Sequence, residues 1–267
     1  MKLLIVGMGF VGTATEYLFK ESWCNGNKLD PHKIFRHDPA KGWATENPAG
    51  NFFDYIFLCL PTNLDPVSQK LDLSILKEAY ERWRHAGKVV IRSTIGPDQI
   101  DEFPDAIFMP EFLRENNWKE DVSDSELPII VSDEIFGDLL RAHIFANQPS
   151  NDPYYKKIIT LPPAETVMWK LTRNAALGVK VALANELSEI CKIHNIDYAL
   201  IKLQLETDQA LGYSHWQVPG PDGKLGFGGH CLPKDLTHMA SLWYNHPLSI
   251  VNTALEMNKK RRSDLDK

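Results

Sequence analysis

Met1-Lys-Leu-Leu-Ile-Val6-Gly7-Met-Gly9-Phe-Val-Gly12 opens the chain and decides how its first half folds. Leu3 to Val6 is a short apolar run of the kind that forms a buried strand, and Gly7 cuts it off. The glycines then fall at G-x-G-x-x-G spacing, directly after that strand and before a helical pattern from Val11 to Lys20. In that context each glycine has a mechanical reason. The first makes a tight turn, the second admits a pyrophosphate, and the third lets helix and strand pack closely. The phosphate is expected at the helix N-terminus, beside Phe10 and Val11.

Working outward, short apolar strands are expected at Leu3 to Val6, Lys33 to His37, Tyr55 to Cys59, Lys88 to Arg92, Ala106 to Met109 and Pro128 to Ser132. Helical patterns lie between several of them, at Val11 to Lys20, Leu73 to His85 and Asp133 to Ile144. This alternation predicts an α/β, Rossmann-like, doubly wound parallel sheet with helices on both faces. After Pro162-Pro163 the pattern changes to one long helix, Glu165 to His194. Val167, Leu171, Ala175, Gly178, Val181, Ala182, Asn185 and Ile190 fall near one face of it. The expected domains are therefore residues 1–161, binding a dinucleotide, and 162–267, mainly helical. The loop Gly212 to His230 interrupts the second.

Asp38 ends the second strand, where a carboxylate takes the adenosine ribose hydroxyls and repels a 2′-phosphate, which points to NAD. It lies 26 residues past Gly12, and the extra length falls in the loop from Cys24 to Pro31. Arg36 is the residue that would accommodate NADP instead. Pro61-Thr62 and Ser93-Thr94 follow the third and fourth strands, at the carboxyl ends where such sheets bind ligands.

Composition narrows the classes further. The 267 residues carry a net charge of −6, which argues against non-specific nucleic-acid binding. An anionic substrate would be held by local amides and a few basic groups. No apolar run reaches membrane-span length, and Gly7 ends the N-terminal run too early for a signal peptide. Cys24, Cys59, Cys191 and Cys231 are scattered, so neither a metal site nor a disulfide framework is suggested. Reduced thiols and a cytoplasmic location are expected. The basic tail Lys259-Lys-Arg-Arg262 reads as the solvated last turn of a helix.

The reactive group is expected in Gly226-Phe-Gly-Gly-His-Cys231-Leu-Pro-Lys234-Asp235. Pro233 suits a first helical turn, so the glycine loop ends where a helix begins. A Cys231 thiol there would feel the helix dipole and the Lys234 ammonium, both of which favour thiolate. Lys170 and Asn174 are one turn apart on the long helix and share a face.

Together these segments resemble the UDP-glucose/GDP-mannose 6-dehydrogenase family, the nucleotide-sugar dehydrogenases. The resemblance runs in order through G-x-G-x-x-G, the Pro61-Thr62 and Ser93-Thr94 pairs, Pro110-Glu111-Phe112-Leu113-Arg114-Glu115, Lys170-Leu-Thr-Arg-Asn174 and the Cys231 segment. It implies two NAD-dependent hydride transfers that take the C6 alcohol of a nucleotide sugar, UDP-glucose first and GDP-mannose second, to the uronic acid. Cys231 would form a thiohemiacetal and then a thioester. Lys170 and Asn174 would stabilise the oxyanion. Glu111 would act as base on water, with Asp235 and Thr94 ordering that water. Lys234 would lie at the cofactor, and Phe112, Leu113, Arg114, Glu115, His215, Phe227, Gly228 and Gly229 at the substrate. The family also implies a homodimer through helix 165–194. A two-electron hydroxyacid dehydrogenase and a non-catalytic NAD-binding relic are the rival readings.

The chain departs from the family at Val167, where a glutamate is usual, and at His230, where a small residue is usual. His215 stands where the family has an arginine thought to reach the partner's sugar. The chain stops at Lys267, where the family would begin a third, nucleotide-gripping domain, so a short form is expected. That grip would then be lost, borrowed from a separate protein, or replaced by the loop Gly212 to Leu225, with Tyr213, His215, Trp216 and Lys224 meeting the base or phosphate. A surface excursion with a buried Trp216 is the alternative for that loop.

Overall fold

The computed structural model describes residues 1–20, 23–24, 27–28, 33–45, 52–124, 127–147, 157–246 and 249–263. Most of the loop expected from Cys24 to Pro31 lies outside them. In chain order the strands are β1 (Lys2–Val6), β2 (Trp23–Cys24), β3 (Asn27–Lys28), β4 (Lys33–His37), β5 (Tyr55–Leu58), β6 (Lys88–Ile91), β7 (Ile107–Phe108), β8 (Ile129–Val131) and β9 (Ile158–Thr160). The α-helices are α1 (Phe10–Lys20), α2 (Ser74–Trp83), α3 (Trp118–Ser123), α4 (Glu134–Asn147), α5 (Pro163–Ile193), α6 (Tyr198–Thr207), α7 (Cys231–Leu242) and α8 (Ile250–Ser263).

Five strands form a parallel sheet in the order β4-β1-β5-β6-β7. The order reverses at β1, so a crevice is expected beyond its carboxyl end, where Gly7 to Gly12 lie. Leu3, Leu4 and Ile5 are fully buried, as the middle of a sheet covered on both faces requires. Phe19 of α1 packs on Phe57 of β5 with ring centroids 5.1 Å apart, and Phe136 of α4 is fully buried in the same core. The sixth expected strand, β8, pairs in parallel with β9 in a separate ladder. Ser132 joins that ladder to β7. Its N–H donates to the Phe108 carbonyl at 2.9 Å, and its Oγ accepts from the Phe108 N–H at 2.7 Å.

Contacts divide the chain into two compact units. One holds Met1–Asn63 and Leu71–Lys170, and the other holds Leu64–Lys70 and Leu171–Lys267. The second is built on α5 to α8. Helix α5 begins with Pro163 in the position where a missing N–H costs nothing. Its buried residues include Leu171, Ala175, Val181, Ala182 and Asn185. Ile190, expected on that stripe, is instead 45% exposed, and Cys191 is buried in its place. No helix among the described residues is long and apolar enough to cross a membrane.

Candidate active site

The glycine turn after β1 is shaped by sterics at two of its glycines. Gly7 has φ +87°, and a Cβ there would lie 2.5 Å from the Cys59 carbonyl oxygen. A Cβ on Gly12 would come within 2.0 Å of the Gly7 carbonyl oxygen, so only glycine lets α1 start this close to β1. Gly9 differs, because nothing lies within 4 Å of the place its Cβ would take. That open side, at the start of an 11-residue helix, fits the pyrophosphate of a dinucleotide.

Asp38 is tied directly to this turn, since its Oδ2 accepts the Met8 N–H at 2.8 Å. Lys41 holds the same residue from the other side, donating its Nζ to the Met8 carbonyl at 2.5 Å. Arg36 is engaged elsewhere. Its Nε donates to Glu16 Oε2 at 2.7 Å and its Nη2 to Glu16 Oε1, an ion pair that pushes the guanidinium pKa up. Two loops at the sheet's carboxyl end are laced together by the predicted hydroxyls. Thr62 Oγ1 donates to the Thr94 carbonyl at 2.8 Å. Ser93 Oγ accepts the Leu60 N–H at 2.9 Å and donates to the Leu60 carbonyl at 2.7 Å. Pro61 is exposed, and Thr94 is half-buried.

Beyond β7, the Pro110 to Glu115 segment places one carboxylate in the interior. Glu111 is 7% exposed; its Oε1 accepts from Lys170 Nζ at 2.9 Å and its Oε2 from the Leu113 N–H at 2.6 Å. Lys170 also donates to the Glu111 carbonyl at 2.6 Å, so this ammonium is held at three points counting the Phe112 ring, 5.8 Å away. Burying a lysine at 3% exposure is tolerable only with such pairing. A second buried cation, Arg92, lines a small cavity with Glu111, and its Nε has no hydrogen-bond partner among the described residues. Burial pulls the Arg92 pKa down. Arg114, expected at the substrate, grips Asp121 in a two-pronged ion pair through Nε and Nη2, while Glu115 is exposed.

In the second unit, Cys231 is the first residue of α7 and half-buried. Asn174 Nδ2 donates to Asp235 Oδ2 at 2.6 Å, tying α5 to the first turn of α7. Lys234 is itself committed to Asp235, with Nζ 2.9 Å from Oδ1, a charge contact without hydrogen-bond alignment. Asp235 is fully buried between those two partners. Of the other thiols, Cys191 is buried, and burial pushes Cys59 up to about 11.

Two loop side chains expected at the substrate are buried. Trp216 is 3% exposed, its Nε1 donates to the Gly212 carbonyl at 3.0 Å, and Lys180 Nζ sits 4.6 Å above its ring. It is a packing residue and cannot stack on a base. Phe227 is likewise buried, packed with Ala175, Val181 and Leu236 in the core of this unit. Lys180 accounts for the first outcome, since its ammonium closes over the indole while bonding the Leu211 and Gly212 carbonyls. His215 is half-buried at φ +71°, with Nδ1 2.9 Å from Ser214 Oγ.

Known proteins bear on these arrangements. Residues 164–260 match the central domain of the UDP-glucose/GDP-mannose dehydrogenase family. A UDP-glucose 6-dehydrogenase of Campylobacter jejuni is 27% identical over 98% of this chain and 73% of its own length. Within residues 164–260 the chain carries the central domain of this family. A UDP-glucose 6-dehydrogenase of Haloferax volcanii is 28% identical over 88% of the chain and 64% of the relative. The fold is similar to that of a UDP-glucose dehydrogenase from Pyrobaculum islandicum, with TM-score 0.74 at 20% identity, over 97% of this chain and 68% of that one. The chain thus spans 64% to 73% of the length of these three relatives.

Several residues that build these clusters carry no sequence signal of their own. Asn258 bonds both the N–H and the carbonyl of Phe227. Glu16 binds Arg36, and Asp121 binds Arg114. Each is an ordinary polar residue on a helix, and only the fold brings it to its partner.

Proposed function

We propose that this chain oxidises the C6 primary alcohol of a nucleotide sugar to the carboxylate in two NAD-dependent steps, with UDP-glucose as the first candidate substrate. The observation that carries the reading is the 2.6 Å bond from Asn174 to Asp235. It ties Asn174 on α5 to the first turn of α7, which begins with Cys231.

Gly7, Gly9, Gly12 and Asp38 would hold NAD, which when bound would supply the acceptor for one hydride from C6 at each of the two oxidations, the hydroxyl proton leaving to solvent. Between them the Cys231 thiolate adds to the C6 aldehyde, forming a C–S bond and an oxyanion that takes a proton. The second oxidation converts this thiohemiacetal to a thioester. The Lys170 ammonium and the Asn174 amide are suited to stabilise the negative oxygen at both stages. Water then attacks the thioester, Glu111 takes its proton, and the C–S bond breaks to release the carboxylate and restore the thiol. Asp235 and Thr94 are the groups expected to order that water. Preference for NAD over NADP rests on Asp38, which reaches the glycine turn, and on Arg36, whose guanidinium is engaged by Glu16.

Pairing into a homodimer belongs to the same reading. The deciding experiment incubates the chain with NAD and a panel of nucleotide sugars, follows NADH absorbance and identifies products by mass spectrometry. Two NADH per uronic acid, lost in Cys231→Ala, are expected. One NADH per substrate would make it a two-electron dehydrogenase, and no turnover with any sugar would leave a cofactor-binding protein.

A further inference from the structure

We infer that Asn258, on α8, is a positioning residue for Cys231, fixing together with Asn185 the glycine loop that delivers the thiol; this rests on the reading of Cys231 as nucleophile. Two consecutive backbone amides of the loop are taken by carboxamides from two different helices. The Gly226 N–H donates to Asn185 Oδ1 at 2.9 Å, and the Phe227 N–H donates to Asn258 Oδ1 at 2.7 Å. Asn258 returns its own Nδ2–H to the Phe227 carbonyl at 2.9 Å. A single side chain therefore satisfies both backbone groups of one loop residue, a geometry that fixes the peptide planes on either side of it.

The glycine at 226 follows from this clamp. Its φ is +73°, and a Cβ there would lie 2.2 Å from Asn258 Oδ1, so the amide occupies the space a side chain would need. Between the clamp and the thiol stand only Gly228, Gly229 and His230. Glycines have the widest backbone freedom of any residue, and Gly229, at φ +74°, has open space where a Cβ would be. A path this loose places Cys231 only if both its ends are held. The far end is held by Asn174 through Asp235. The near end is held by Asn185 and Asn258. Arg262, one turn beyond Asn258, supports the same stretch, since its Nη2 donates to the Gly226 carbonyl at 3.4 Å and its Nη1 lies 2.6 Å from where a Gly228 Cβ would be.

A purely structural role for Asn258 would be to attach α8. That attachment has other sources, because Val251 and Leu255 pack against the core of this unit and Ala254 is buried. Losing the amide should therefore loosen the loop more than the helix.

The test compares full-length Asn258→Ala, Asn258→Asp and Ala254→Gly with the unaltered chain. Ala254→Gly weakens α8 without touching the loop. The readouts are iodoacetamide labelling of Cys231 from about pH 6 to about pH 10, thermal unfolding, NAD binding, and kcat and KM with UDP-glucose. Asn258→Ala should change the Cys231 labelling rate about tenfold and lower kcat about a hundredfold, as displacements near 1 Å do. NAD affinity should not move. Asn258→Asp keeps the acceptor and loses the donor, so it should fall between, and it carries the test if Asn258→Ala does not fold. Ala254→Gly should lower the melting temperature while leaving Cys231 labelling and kcat in place. Wild-type labelling and kcat in both Asn258 variants would overturn the inference, as would the same losses in Ala254→Gly. Full acid formation by Cys231→Ala would instead sink the nucleophile reading, while the labelling of Cys231 in the Asn258 variants would still judge the clamp.

Discussion

Cys59 and Cys231 are both half-buried, one after a strand of the sheet and the other at the start of α7. Cys59 follows β5, with its sulfur 3.7 Å from Thr15 Oγ1, and burial pushes its pKa up to about 11 against the pull of Arg92 and Thr15. At pH 8 that leaves only about one thiolate in a thousand, so alkylation there should bypass Cys59. The same shift has a stability consequence. The unfolded chain loses this proton near the ordinary cysteine value of 9.0, and the folded chain only near 11. The stabilisation is complete below about pH 9 and is lost as pH rises through about 11, a change of about 2 to 3 kcal/mol. Urea midpoints measured at both ends of that window should fall less in Cys59→Ala than in the unaltered chain. Tyr55 and Tyr80, raised mainly by burial, add their own alkaline loss to both proteins equally. Equal falls would mean that Cys59 does not titrate as a buried thiol. Trp216 shows where reading single residues fails. Its neighbours in sequence leave open whether it is exposed or buried, because its environment is made by Lys180, 36 residues earlier on α5.

At the scale of elements, what the sequence announced were patterns that repeat. The central strands are uninterrupted apolar runs because both faces are covered, and α5 shows its stripe over many turns. Strand β9 was not anticipated. It has three residues, Ile159 is 39% exposed, and its pairing with β8 depends on chain that meets it from far away. The glycine turn was legible because sterics dictate each glycine, but the clamp by Asn185 and Asn258 was not, because an amide gives no hint of which backbone it will meet. Gly178 belongs with the legible cases only in hindsight. It lies mid-helix in α5, where alanine is worth about 1 kcal/mol more than glycine. An added Cβ would lie 2.5 Å from Leu236 Cδ2, and Leu236 is fully buried on α7 with no room to move. Overpacking of this kind costs about 1 to 3 kcal/mol. Gly178→Ala should therefore lower the unfolding free energy despite its better propensity. Leu236→Ala alone should cost about 2 to 5 kcal/mol through its cavity. In the double variant the new methyl enters that cavity, so the loss should be smaller than the sum. Additive losses would show that α5 and α7 do not meet through this pair.

At the scale of the whole molecule, the second unit keeps more apolar surface in water than a monomer of its size has reason to. Along the later turns of α5, Leu183 is 45% exposed and Ile193 is 75% exposed; on α6, Leu200 is 64% and Leu203 54% exposed. Concentrations of exposed aliphatic side chains on successive helices mark surfaces that bind protein. A second copy of this chain is the expected occupant, in keeping with pairing through helix 165–194. The charge arrangement does not oppose it, since Lys202 on α6 is already matched by Glu206 one turn later. Sedimentation at micromolar concentration should give twice the chain mass. Changing both Leu200 and Leu203 to aspartate should yield a monomer with unchanged helix content, because neither side chain lies in the unit's core. That monomer should bind NAD as before, since the glycine turn and Asp38 belong to the other unit. If His215 reaches the partner's sugar, the KM for UDP-glucose should also rise on dissociation, and His215→Ala in the dimer should raise it without dissociating the pair. A monomeric unaltered chain would remove the partner from the mechanism, and the exposed leucines would then need another protein to cover them.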